Sequence, residues 1–199
     1  MKIGVYGGSF NPVHLGHLKL MEASVKELQL DKLMVVPCYI QPFKMDTFVD
    51  NSTNRLEMLN MAIKNPKVEV SRFEIDEGDV SYTEETLNYF RSIYKGSEII
   101  FILGTDSFLT LDSWKNGEYL LSNFSYAVAS RPGYDEDILK NKVDEYINRF
   151  NTTVYLIEEK MPYISSTKIR ENFKNGLSNK EFLMPEINDY ILKNGLYKA

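Results

Sequence analysis

The 199-residue chain contains two histidines, His14 and His17, and both lie in the run Gly7-Gly8-Ser9-Phe10-Asn11-Pro12-Val13-His14-Leu15-Gly16-His17. Two imidazoles three residues apart could bind a metal, cap a helix or donate hydrogen bonds to an anion. A metal would want further ligands, but the chain offers no other histidine and a single cysteine, Cys38. The anion reading has local support. Lys2 to Tyr6 reads as a buried strand, and Leu18, Met21, Val25 and Leu28 repeat at helical spacing. Between them, Gly7 and Gly8 let the backbone approach a ligand closely. The helix that follows offers free N–H groups and a positive dipole end. The residues describe a phosphate site with two imidazoles aimed into it.

Further constellations carry the same two-sided reading. In Ile164-Ser165-Ser166-Thr167-Lys168-Ile169-Arg170, Ser165 or Ser166 could simply cap a helix whose solvent face holds Glu171 and Lys174. The same geometry serves phosphate: hydroxyls and N–H groups at a helix start meet its oxygens, and Arg170 adds a bidentate fork. In Gly104-Thr105-Asp106, which follows the apolar run 98–103, Asp106 either caps the next helix or meets a ligand. Lys44, in Pro42-Phe43-Lys44, is either a solvated cation or a phosphate contact. Trp114, the sole tryptophan, would ordinarily be core. Ser81 and Glu84 have capping-box spacing ahead of a helical pattern through Leu87, Phe90 and Tyr94, so the N–H groups near Tyr82 and Thr83 are expected to be free donors.

Taken together, these segments resemble a known family. Gly7 to His17 resembles the HxGH signature of the nucleotidyltransferase superfamily, and Ile164 to Arg170 resembles its second signature, ISSTxIR. Softer matches are similar to bacterial nicotinate-nucleotide adenylyltransferases: Tyr82-Thr83-x-x-Thr86-Leu87, Leu111-Asp112-Ser113-Trp114, and Met184-Pro185 with Tyr190-Ile191 and Gly195-Leu196-Tyr197. The resemblance implies transfer of AMP from ATP to nicotinate mononucleotide, giving deamido-NAD and pyrophosphate. It implies catalytic roles for His14, His17, Lys44 and Arg170. It implies ATP contacts from Gly7, Gly8, Ser9, Phe10, Gly104, Asp106, Ile164, Ser165, Ser166 and Thr167, and mononucleotide contacts from Tyr82, Thr83 and Trp114. Mg²⁺ would be carried with ATP, with no metal ligands from the protein. Family members often have histidine where this chain has Phe43, which puts in doubt any contact assigned to that histidine. Arg55 matches another recurrent position and reads as a supporting residue. Two alternatives stay open: another small-molecule adenylyl- or cytidylyltransferase of the superfamily, and a nucleotide-binding regulator without turnover.

The elements that must position these groups alternate. Strands are expected at 2–6, 33–38, 68–75, 98–103, 125–129 and 153–158. Helices are expected at about 16–29, 53–65, 83–95, 108–121, 136–150, 166–175 and 185–194. Near-continuous apolar runs such as Ile99-Ile100-Phe101-Ile102-Leu103 suit strands buried on both faces. The pattern predicts an α/β, doubly wound, Rossmann-like and mainly parallel sheet with helices on both faces, with ligands beyond the carboxyl ends of the strands. Residues 7–17, 37–44, 104–106 and 164–170 are all expected there, after strands one, two, four and the last.

Composition bounds the rest. Residues 1–199 read as one domain, 43% hydrophobic and 26% charged. A net charge of −5 argues against nucleic acid as a partner, so phosphate chemistry must rest on a local cluster of cations. No apolar run is long enough to span a membrane, no signal peptide is evident, and the lone cysteine suits a reducing cytoplasm. Homo-oligomerisation is left open.

Overall fold

The computed structural model describes residues 1–40, 51–130 and 135–198. Six strands form one sheet: β1 (Lys2–Gly8), β2 (Lys32–Pro37), β3 (Val68–Val70), β4 (Glu98–Gly104), β5 (Ser125–Ala129) and β6 (Val154–Ile157). Their order is β3-β2-β1-β4-β5-β6 and all five pairings are parallel. The chain winds outward from β1 to β3, returns to β4 beside β1, and winds outward again. The doubly wound, Rossmann-like fold expected from the alternation is therefore what forms, and its switch point lies between β1 and β4.

The helices are α1 (Leu15–Glu27), α2 (Ser52–Ala62), α3 (Phe73–Glu77), α4 (Thr83–Ile93), α5 (Thr105–Leu109), α6 (Gly117–Asn123), α7 (Glu136–Phe150), α8 (Ser166–Lys174) and α9 (Pro185–Lys193). They cover both faces. Successive side chains of a strand point to opposite sides, so β4 sends Ile100 and Ile102 into a core shared with Leu20 and Met21 of α1 and Ile187 and Ile191 of α9. Its Ile99, Phe101 and Leu103 enter a second core with Leu87 and Phe90 of α4, Phe108 of α5 and Tyr146 of α7.

Two expected elements differ. The strand drawn through 68–75 ends at Val70, and Phe73–Glu77 forms a short helix instead. Among the described residues, β3 is an edge strand that pairs with Leu33–Val35 alone. Phe73 instead stacks on Tyr89 of α4 at 3.9 Å between ring centroids. The single helix expected at 108–121 is broken into α5, a 3-10 turn at Leu111–Ser113 and α6. Asn116 adopts a left-handed backbone with φ of +55°. A Cβ at Gly117 would collide with the carbonyl oxygen of Leu111, so the chain doubles back there on glycine. Among the described residues, no helix is long and apolar enough to cross a membrane.

Candidate active site

α1 starts beyond the carboxyl end of β1, after the loop 9–14, and His14 is its N-cap. His14 Nδ1 accepts from the backbone N–H of His17 at 3.3 Å, and His17 Nδ1 accepts from the backbone N–H of His14 at 3.2 Å. This is a capping box built from two imidazoles. With Nδ1 of each used as an acceptor, a neutral ring would carry its proton on Nε2. The rings stack at 3.6 Å, 15° from parallel. Gly16 is what permits this: a Cβ there would lie 3.1 Å from Cε1 and Nδ1 of His14.

Phe10 has a positive φ of 46° and a buried ring. That ring meets Tyr6 edge-on at 5.3 Å and His17 at 5.0 Å, and it fills the space where a Cβ on Gly8 would stand. Gly8 thus serves the packing of Phe10 under the loop. The Phe10 side chain braces His17 from the core side.

The second signature lies against the first. Ser165 is the N-cap of α8 by backbone alone, with no side-chain cap. Ser166 Oγ donates to the carbonyl of Pro12 at 2.9 Å, so its proton is spent on the loop. Arg170 Nη1 donates to the carbonyl of Asn11 at 2.8 Å, while its Nη2 lies 3.3 Å from Thr167 Oγ1. Segments more than 150 residues apart in sequence, as Ser166 and Pro12 are, become one surface. His14, Gly16, His17, Gly104 and Ile164 line a common cavity with Tyr6, Leu20, Ala129, Met161 and Pro162, at the switch point of the sheet. Among the described residues, nothing lies within 4 Å of a Cβ built on Gly104. Asp106 is exposed in the first turn of α5 and makes no side-chain cap. A Cβ on Gly7 would meet Phe101 at ordinary contact distance, and Ser9 offers its carbonyl to Arg55. Lys44 and Phe43 lie outside the described residues.

The start of α4 stands at the same end of the sheet. Ile40 bridges Val80, and the Ser81 N–H donates to the Ile40 carbonyl at 3.0 Å. The capping box expected of Ser81 and Glu84 does not form. Tyr82 is the N-cap and contributes no side-chain bond. Ser81 Oγ accepts from the Tyr39 N–H at 3.1 Å, because the chain pairs with the end of β2 before it turns into the helix. Among the described residues, no acceptor meets the N–H groups of Thr83 or Glu84. The turn carrying Trp114 docks onto this helix end. Lys115 Nζ lies 3.5 Å from the centroid of the Tyr82 ring and 3.7 Å from Glu85, and Asn116 donates to Glu84. Trp114 is half-buried and meets Phe101 edge-on.

Two buried charges support the site. Arg55, 3% exposed, donates through Nη1 to the carbonyls of Ser9 at 2.9 Å and Cys38 at 2.7 Å, and through Nε to Asn51 Oδ1. It clamps the β1 loop to the end of β2, the supporting place its position in the sequence suggested. Glu74 was not anticipated. It is 8% exposed and accepts from Thr86 Oγ1 of α4. Burial pushes its carboxyl above the usual carboxylate range, and the hydroxyls of Thr86 and Ser81 offset part of that rise. Nothing local sets Glu74 apart from Glu77; the one hint was Thr86, already part of a noted motif. No group of three His, Cys, Asp or Glu side chains among the described residues could hold a metal ion.

Residues 5–172 match the cytidylyltransferase-like family. The chain belongs to that family. Among curated relatives, proteins named "Probable nicotinate-nucleotide adenylyltransferase" match it nearly end to end. The one from Carboxydothermus hydrogenoformans is 34% identical over 198 residues, covering 99% of this chain and 98% of its own. The one from Clostridium novyi is 36% identical over 200 residues, covering 99% of each. Within the cytidylyltransferase-like proteins the chain therefore groups with the nicotinate-nucleotide adenylyltransferases. The same fold occurs in a solved structure of the Plasmodium falciparum nicotinic acid mononucleotide adenylyltransferase complexed with NaAD. That structure has a TM-score of 0.80 and 24% identity, with 98% of this chain and 97% of that one covered.

Proposed function

We propose that this chain transfers the adenylyl group of ATP to nicotinate mononucleotide, releasing pyrophosphate and forming deamido-NAD. The observation that carries the reading is the reciprocal capping of His14 and His17, which holds both imidazoles on the wall of a cavity at the switch point. The mononucleotide's phosphate is already ionised and attacks the α-phosphorus of ATP; the bond from that phosphorus to the bridging oxygen breaks, and pyrophosphate leaves. No protein nucleophile is needed, so the protein contributes position and charge stabilisation.

In this reading His14 and His17 donate to non-bridging oxygens as charge builds on them. Arg170 and the first turn of α8 hold the departing pyrophosphate, Lys44 adds a cation, and Gly104 and Asp106 meet the adenosine. Mg²⁺, where bound, neutralises the triphosphate. It would travel with ATP rather than in a site of its own. The free N–H groups at the start of α4 receive the nicotinate carboxylate beside Trp114. Residues 1–199 act as one catalytic domain in the cytoplasm.

The test is pyrophosphate release on mixing the purified protein with ATP, Mg²⁺ and either nicotinate or nicotinamide mononucleotide. Release with nicotinate mononucleotide is expected. Release only with a different phosphate acceptor would place the chain elsewhere in the superfamily, and binding of ATP without release would make it a regulator.

A further inference from the structure

The segment after α9 ends on the catalytic loop. α9 closes with the Leu196 N–H donating to Ile191 O at 3.0 Å and the Gly195 N–H to Leu192 O at 3.3 Å, with Gly195 at φ +63°. This reversal at a left-handed glycine turns the chain back on itself. Tyr197 follows, also left-handed at φ +61°, with its ring near Phe173 of α8. Its hydroxyl donates to Asn11 Oδ1 at 2.6 Å. The same oxygen accepts from Asn51 Nδ2 at 2.7 Å, and the Asn11 carbonyl accepts from Arg170 Nη1 at 2.8 Å. Asn51 in turn accepts from the buried Arg55. Asn11 is thus the node where the loop before His14, the guanidinium of Arg170, the start of α2 and the segment after α9 meet.

We propose that Tyr197 is a positioning residue for phosphate binding: through Asn11 it sets the loop that carries His14 and His17 and the Arg170 fork attached to that loop. The inference rests on the phosphate-binding reading of the site. It also accounts for the Gly195-Leu196-Tyr197 motif, which the proposed chemistry does not otherwise use. Burial of the phenol raises its pKa, so it remains a donor across the working range of pH.

The experiment compares the full-length protein with Tyr197→Phe, which keeps the ring and removes only the hydroxyl, and with Asn11→Ala, which cuts the same link from the other end. Tyr190→Phe is the structural control. The Tyr190 hydroxyl lies 2.7 Å from Glu57 Oε2 and 2.9 Å from Asn54 Oδ1, pinning α9 to α2 without touching the loop. Calorimetric titration with ATP and with adenosine separates phosphate contacts from all others.

Tyr197→Phe and Asn11→Ala are each expected to weaken ATP about fivefold or more, with adenosine within about twofold of the parent. The double variant should be no worse than the worse single variant. Tyr190→Phe should leave the ratio of the two affinities unchanged. A ratio within about twofold of the parent in Tyr197→Phe, additive losses in the double variant, or an equal change in Tyr190→Phe would overturn the proposal. A parent protein that releases no pyrophosphate with any mononucleotide would sink the proposed reaction, while the affinity ratio would still decide the role of Tyr197.

Discussion

His17 does two jobs with two nitrogens. Nδ1 closes the helix cap on the His14 N–H, while the other nitrogen carries the donor proposed to meet phosphate. His17→Ala is therefore expected to lower kcat by on the order of 10²-fold or more, through loss of a donor used in the transition state. It should also cost about 1 kcal/mol of stability through the lost cap. Steady-state rates with thermal melts on the same samples separate the two effects, and near-normal turnover would remove His17 from the chemistry. Gly16 supports a finer prediction. A methyl there would stand 3.1 Å from the His14 ring, which must then yield by a few tenths of an ångström. Gly16→Ala is expected to keep the fold and lose kcat by roughly threefold to tenfold, because small misplacements of a donor are costly in rate. An unchanged kcat would show that the His14 ring has room to move.

At the scale of elements, α4 is the informative one. Its first turn has no side-chain cap, its leading N–H groups are unmet among the described residues, and the Lys115 ammonium sits over Tyr82 beside them. A carboxylate accepts from such donors with both oxygens. An amide would turn an NH₂ toward one of them and leave a buried N–H unsatisfied, at roughly 1–3 kcal/mol. The positive helix end adds up to about 1–2 kcal/mol for the anion. The kcat/KM ratio of nicotinate to nicotinamide mononucleotide should lie between roughly tenfold and a thousandfold by these terms. A ratio within about threefold, or a preference for the amide, would mean that this helix end does not read the carboxylate. Glu74 ties α3 to the same helix through Thr86. Its folded pKa is raised chiefly by burial, so the folded protein holds that proton more tightly than the unfolded chain does. Its favourable contribution is present below the unfolded pKa and is lost as pH climbs through the folded value. Glu74→Gln cannot ionise. The Tm of the variant minus that of the parent should therefore rise as pH increases from acid to neutral, and a difference independent of pH would contradict the assignment.

For the molecule as a whole, two cores lie on opposite faces of one sheet, and β4 feeds both. Neither can lose its packing while the other keeps its floor. Thermal unfolding followed by far-UV and near-UV circular dichroism should therefore give coincident transitions. Two separated transitions would show that the chain unfolds in independent parts and would overturn the single-domain proposal.

The sequence by itself determined the order of the six strands and most of the helices between them, and it marked the two segments proposed to face phosphate. Apolar periodicity and glycine turns are local properties, legible without knowing what surrounds them; that Gly8 makes room for the Phe10 ring and that the Ser166 hydroxyl is spent on Pro12 were not. It also marked Arg55 as a supporting residue, though not what it grips. Tertiary structure decided what depends on neighbours distant in the chain. Helical spacing ran through 108–121, but the backbone of Gly117 packs against Leu111, and the helix breaks. Ser81 had the chemistry of a cap, but pairing with Ile40 and Tyr39 took its groups first. Glu74 looked like any surface acid until α4 covered it. Tyr197 and Asn11 are separated by 186 residues. No local pattern announces that their side chains meet, because the contact exists only once α8 and α9 have packed against the sheet on the side of α1.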